Sequence, residues 1–158
     1  MNISENSRIW VYQANRPFTA GEEQSVLKIL NDFTAEWQAH GHALAALGEI
    51  LYHQFIVLSV DEHIAGATGC SIDKSVHLMK EIEHKFNINL FDRFRITYKA
   101  NEEIISCSRE EFEEKIKNGI VDRNTLVFNN LISRRKELET SWNIPLADSW
   151  HAQVFSMP

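Results

Sequence analysis

Two amphipathic segments, separated by short runs of β-branched and aromatic residues, restrict this chain to a fold that mixes helices with an antiparallel sheet. The first opens with Thr19-Ala-Gly-Glu22, a capping-box pattern, and continues with Val26, Leu30, Phe33 and Trp37 at helical spacing. This predicts a helix over 20–39 with one buried face and Gly41 as its stop. The second, over 72–86, carries Ile72, Val76, Met79, Ile82 and Phe86 as its apolar stripe and ends at Asn87–Asn89. Ile9–Gln13, Ala46–His53 and Phe55–Val60 read as strands; Arg93–Lys99 alternates, and Ile104–Cys107 returns after a turn at Asn101-Glu102. The order β-α-β-β-α-β, with an added strand, predicts an α+β fold. Its expected form is a ferredoxin-like two-layer sandwich, an antiparallel sheet with two helices on one face.

Three regions are expected on this basis: a disordered tail over 1–7, the ferredoxin-like body over 8–107, and a C-terminal helix-strand-helix extension over 108–158 packed on it. The extension opens with a second capping box, Ser108-Arg-Glu-Glu111, and its helix stops at Gly119. A strand over Thr125–Leu131 and a helix over Ser133–Trp142 follow, and Asp148-Ser-Trp-His151 is expected to pack back onto the body.

A chain of 158 residues is long enough for one self-sufficient core. Cys70 and Cys107 lie far apart and form no metal-type pair, which suggests free thiols in a reducing compartment. Met1–Arg8 is polar, and the longest apolar run, Phe55–Val60, is far short of the roughly 20 residues that span a bilayer. The expectation is a cytoplasmic protein without membrane contact. A net charge of −6 argues against general nucleic-acid binding but leaves room for a local basic site.

Polar chemistry is densest in Gly66-Ala-Thr-Gly69-Cys70-Ser71-Ile72-Asp73-Lys74-Ser75-Val76-His77, a small-residue loop entering the second helix. Gly66 and Gly69 would let the backbone approach a ligand, and the N–H groups of Ser71–Lys74 would face an anion. Asp73 and His77 are one turn apart, so the carboxylate could orient the imidazole. Cys70 beside the helix start is a candidate thiolate. The same residues also have a structural reading, in which Ser71 caps, Asp73 complements the dipole and Cys70 is a small hydrophobe.

Other constellations are thinner. His40-Gly-His42 and five scattered histidines lack any zinc or calcium spacing, so no metal and no cofactor is expected. Ser133-Arg-Arg-Lys136 would place three cations in the first turn of a helix, against its dipole, and so asks for an acidic partner or an anion. Trp37 and Trp142 sit on apolar helical faces, whereas Trp150, between Asp148 and His151, is a candidate to close over a pocket. Arg93 is the candidate cation to complete such a site, because a guanidinium holds a carboxylate or phosphate bidentately.

Trp10-Val-Tyr-Gln13 with Asn15-Arg16, Gly69–His77, Phe91-Asp-Arg93, Val127-Phe-Asn-Asn-Leu131 and Asp148–His151 together resemble a family of small, uncharacterised bacterial proteins. That family often carries the label "ABC transporter ATPase". The resemblance covers Ile9 to about Phe155 and implies a shared cytoplasmic domain, with no catalytic residues to transfer. P-loop chemistry is not implied: none of the six glycines is followed by lysine, and no G-x-x-x-x-G-K-[ST] occurs.

The leading functional expectation is a binding or regulatory domain holding a small anionic ligand or protein segment. Gly69, Ser71, Asp73, His77, Arg93 and Trp150 would form its site. One alternative is a small enzyme using Asp73 and His77, with Cys70 or Lys74, in acid–base or thiol chemistry. Another is a homodimer or larger assembly built through the sheet's edge or open face.

Overall fold

In the computed structural model, which describes residues 2–157, local sequence signals set the first helix. Thr19 Oγ1 accepts the Glu22 N–H at 3.2 Å, and Glu22 Oε1 accepts the Thr19 N–H at 2.9 Å. This capping box opens α1 (Ala20–Glu36). The helix ends three residues before the expected 39, because Trp37 turns into an extended conformation and is buried. His40 (φ 51°) and Gly41 (φ 77°) then form a two-residue turn joining β2 (Gln38–Ala39) to β3 (His42–Ala43). Both turn positions need positive φ, which explains the glycine here better than a helix stop does.

The remaining strands of the N-terminal half are β1 (Arg8–Gln13), β4 (Ala46–Leu51) and β5 (Phe55–Val60). They form an antiparallel sheet in the order β1-β5-β4. Trp10, Leu58 and Gly48 are cross-strand neighbours, as are Tyr12, Ile56 and Ile50. This face packs against Val26 and Leu30 of α1 and against Met79 and Ile82 of α2 (Gly69–Phe86). Both long helices therefore cover the same face. Each fully buried aliphatic side chain there contributes about 1.5–3 kcal/mol relative to exposure. Gly48 permits the approach of α1, since a Cβ there would lie 2.8 Å from Leu30 Cβ.

The N-terminal tail is not disordered over its described residues. Ser7 is buried, Arg135 N–H donates to Ser7 O at 2.9 Å, and Lys136 N–H donates to Glu5 O at 2.8 Å. Ile9 N–H donates to Ser133 O at 3.0 Å, and Arg8 bridges Arg134 in antiparallel sense. The segment Ser133–Lys136 is thus a strap that meets the outer edge of β1 at Arg134 and turns at Arg135-Lys136, not the start of the helix expected over Ser133–Trp142. Its physical reason is local: three cations oppose the positive end of a helix, whereas the strap satisfies its backbone on β1 and the tail. Arg135 crosses to Glu49 at 3.1 Å and to Ser59 Oγ at 3.0 Å.

The chain divides into two compact units, one running through Phe91 and including Ser133–Lys136, the other comprising the remaining residues from Asp92 onward. The second unit holds β6 (Ile96–Ala100), β7 (Glu103–Cys107), α3 (Arg109–Lys117), β8 (Leu126–Phe128), α4 (Glu137–Thr140), β9 (Asn143–Pro145) and α5 (His151–Val154). Its antiparallel sheet runs β7-β6-β8-β9. Ile96, Tyr98, Cys107, Phe112, Ile116, Val127, Leu146 and Phe155 form its core. Phe112 sits at the centre, edge-on to Phe155 with centroids 4.9 Å apart and 5.9 Å from Tyr98.

The molecule is α+β with antiparallel sheets, but the expected ferredoxin-like body over 8–107 does not form one sheet. β6 pairs with β7 and β8 in the second unit. The edge of β1, where such a sandwich would seat its fourth strand, is taken by the strap. Nor do residues 108–158 form a separate extension: most of them share a core with β6 and β7.

Candidate functional site

The start of α2 lies earlier than the sequence suggests, and this alters the chemistry of the Gly66–His77 stretch. Thr68, not Ser71, is the N-cap; its Oγ1 accepts the Ser71 N–H at 3.3 Å, while Ser71 Oγ accepts the Thr68 N–H at 2.8 Å. Ile72 N–H donates to Thr68 O at 2.9 Å, so Ser71–Lys74 no longer offer a row of open N–H groups. Ser71 is buried, and its carbonyl accepts the Trp37 Nε1–H at 2.9 Å. Its role is therefore structural. Gly69 is exposed, and a Cβ there would meet nothing within 4 Å, so no close approach requires the glycine.

Cys70, Asp73, Lys74 and His77 are all exposed on α2. The expected Asp73–His77 contact is replaced by its mirror: His77 Nε2 lies 3.2 Å from Glu81 Oε1, one turn further along. An exposed pair of this kind contributes little to stability. Asp73, Lys74, His77 and Glu81 instead rim an open depression of about 410 Å³, with Phe33 of α1 and Leu78 as its apolar part. Four polar side chains around two apolar ones can grip a flat or extended partner; they do not enclose a reacting centre.

Arg93 and Trp150 belong to the second unit, whereas Gly69, Ser71, Asp73 and His77 belong to the first. Arg93 is exposed. Trp150 precedes α5 and stacks on His151 at 3.8 Å between centroids and 21° between planes. His151 is buried, its Nδ1 lies 2.7 Å from Ser149 Oγ, and desolvation pulls its pKa down to about 4. Ser149–His151 is thus a packed corner of the second unit's core, with Asp148 exposed beside it. Cys107 is likewise buried, and desolvation pushes its thiol pKa up, which makes it a poor nucleophile.

The motifs behind the family resemblance also have structural duties. Arg16 grips Glu22 bidentately at 2.8 and 2.9 Å and donates to Phe86 O at 2.9 Å, tying the start of α1 to the end of α2. The guanidinium, aided by the Thr19 N–H, lowers the Glu22 carboxyl pKa to about 2. Asn15 Oδ1 accepts the Asn89 N–H at 2.8 Å beside it. In the second unit Asn130 Oδ1 accepts the Trp142 Nε1–H at 2.8 Å, and Asn129 N–H donates to Trp142 O at 2.7 Å.

A further cavity of the first unit, about 340 Å³, is lined by Asn6, Glu62, His63, Arg134 and Lys136. Of these, only the cations at 133–136 carried a signal in the sequence; Asn6, Glu62 and His63 come from turns with no motif. Among the described residues no group of three or more His, Cys, Asp or Glu side chains is placed to hold a metal ion. No helix among them is long and apolar enough to cross a membrane. Compared with known protein families, curated proteins and solved structures, the chain has no match.

Proposed function

We propose that the first unit is a non-catalytic binding module whose outward face on α2 receives an extended or helical segment of a partner protein. The observation that carries this reading is the depression in which Phe33 and Leu78 form an apolar patch between Asp73 and Glu81. An apolar anchor flanked by basic residues is the complementary segment, because it would bury its anchor on the patch and place its cations beside the two carboxylates. Lys74 and His77 on the same rim would select for register. The two cysteines are free, in keeping with work in a reducing, cytoplasmic setting.

Selection of displayed peptides against the full chain tests this. Enriched sequences should share one large apolar residue next to Lys or Arg. Their affinity should fall by about tenfold or more for a chain carrying Asp73→Lys and Glu81→Lys. Both positions are exposed, so the melting temperature of that chain should stay close to the parent's. Failure to enrich, or equal binding to the doubly substituted chain, would overturn the reading. So would a homodimer of the parent that the double substitution dissociates, since the occupant would then be a second copy.

A further inference from the structure

We infer that the outer edge of β7, in the second unit, is a strand-addition site for an extended segment of another protein, one with β-branched residues at its centre and a lysine or arginine at each end. It shares no residue with the α2 depression.

The backbone of β7 is what opens the site. β7 pairs with β6 through five successive residues, from Glu103 opposite Ala100 to Cys107 opposite Ile96, without a bulge. It is the outer strand of its sheet. Among the described residues no backbone hydrogen bond joins β7 to anything but β6. In an antiparallel ladder, alternate residues of an outer strand turn their N–H and C=O groups away from the neighbour, so this edge presents a row of open donors and acceptors. Proteins commonly blunt such edges with proline, lysine, a bulge or a covering segment. This chain uses those devices elsewhere. β9, at the other end of the sheet, has three residues and closes on Pro145, which has no N–H. The outer edge of β1 is met by the strap at Arg134. β7, with the sequence Glu-Ile-Ile-Ser-Cys, has none of them.

Side chains and charge select the occupant. Ile105 lies opposite Tyr98 and packs beside the second unit's core, whereas Ile104, opposite Lys99, belongs to the other face of the sheet. Both are half-buried, so an added strand would cover apolar surface on each face, where β-branched residues pair well. Both ends of the edge are acidic. Glu102 and Glu103 stand at the start of β7, and Glu110 and Glu111 in the first turn of α3 just beyond its end. Asn101 to Glu114 holds six glutamates and one cation, Arg109, which lies 3.3 Å from Glu113. A second copy of β7 laid along this edge would bring carboxylates together in either orientation. A strand with a cation at each end meets opposite charge instead. Main-chain bonds would then supply affinity, and the terminal cations and central side chains would supply specificity.

Amide NMR of the full chain, titrated with the capped peptide Lys-Thr-Val-Val-Thr-Lys, tests the assignment. Saturable shifts should fall on Glu103–Cys107. The same peptide with its central amide nitrogens methylated should bind about tenfold more weakly or worse, because its backbone cannot pair. Affinity should also fall about tenfold in a chain carrying Glu102→Lys and Glu103→Lys, and in Glu110→Lys. It should be unchanged in the chain carrying Asp73→Lys and Glu81→Lys, which separates this edge from the α2 depression. All three glutamates are exposed, so these variants should melt near the parent; if the double variant unfolds, Glu110→Lys decides. An absence of saturable shifts, shifts confined to α2, equal binding of the methylated peptide, or unchanged affinity in a folded variant would overturn the site. Sedimentation of the free chain as a dimer whose β7 amides resist exchange with solvent would overturn the occupant in favour of a second copy.

Discussion

His151 gives the clearest quantitative consequence of the second unit's packing. Its ring is 1 % exposed, stacked on Trp150, and within 6.3 Å of the Phe112 ring centroid, and desolvation depresses its pKa from 6.5 to about 4. In the unfolded chain the same group titrates at its ordinary value, so the unfolded state binds the proton first as pH falls. The stability this histidine confers is therefore complete above about pH 6.5 and is lost progressively down to about pH 4. Between about pH 7.5 and pH 5 the unfolded chain gains most of a proton and the folded chain almost none. At about 1.4 kcal/mol per pH unit, the fold loses about 2 kcal/mol across that window. Urea unfolding followed by circular dichroism should show this loss in the parent. It should be absent in His151→Gln, which keeps a hydrogen-bonding group but cannot titrate, even if that variant is less stable at every pH. The other six histidines are exposed and common to both chains, so their contribution cancels in the comparison. If the units unfold separately, the effect belongs to the second unit's transition. Equal pH dependence in the two chains, or a His151 ring titrating near 6.5 by NMR, would refute the argument.

Two further substitutions probe the first unit. Gly48→Ala should lower stability by about 1–3 kcal/mol in denaturant unfolding, since its Cβ would meet Leu30 Cβ at 2.8 Å and α1 would have to shift. Asp73→Ala and His77→Ala should each change stability by no more than about 0.5 kcal/mol, because both side chains are exposed and the Glu81 contact is a surface pair; a loss of several degrees in the thermal melt of both would mark them as structural.

The parts of the fold that were legible in the sequence are those decided within a few residues. The boxes at Thr19-Glu22 and Ser108-Glu111 form as their spacing requires, and the apolar spacing from Val26 to Leu30 and from Met79 to Ile82 buries one side of each helix. The start of α2 was misread because Thr68 and Ser71 are both competent caps, and only the burial of Ser71 under Trp37 decides between them. Sheet membership was less legible still. Ile96–Ala100 alternates well enough for several neighbours, and the choice rests on contacts such as Tyr98 with Val127, far away in sequence. β1 meanwhile finds its outer neighbour more than a hundred residues along the chain, at Arg134.

That pairing also explains why the candidate sites divide as they do. The Gly66–His77 stretch looked chemical because it concentrates reactive side chain types, yet its buried members, Ser71 and Ser75, bond to the helix's own carbonyls. What remains outside is a rim. The strap at 133–136 looked like an awkward helix start, with each cation near the positive helix end disfavoured by about 0.3–1 kcal/mol. Bridging β1 at Arg134 and turning at Arg135-Lys136 removes that penalty. One of the three then serves the fold through Glu49, and the other two face a polar cavity. Charge that is unfavourable at a helix start is thus accommodated once the backbone leaves the helix, with Arg135 held on Glu49 and Ser59.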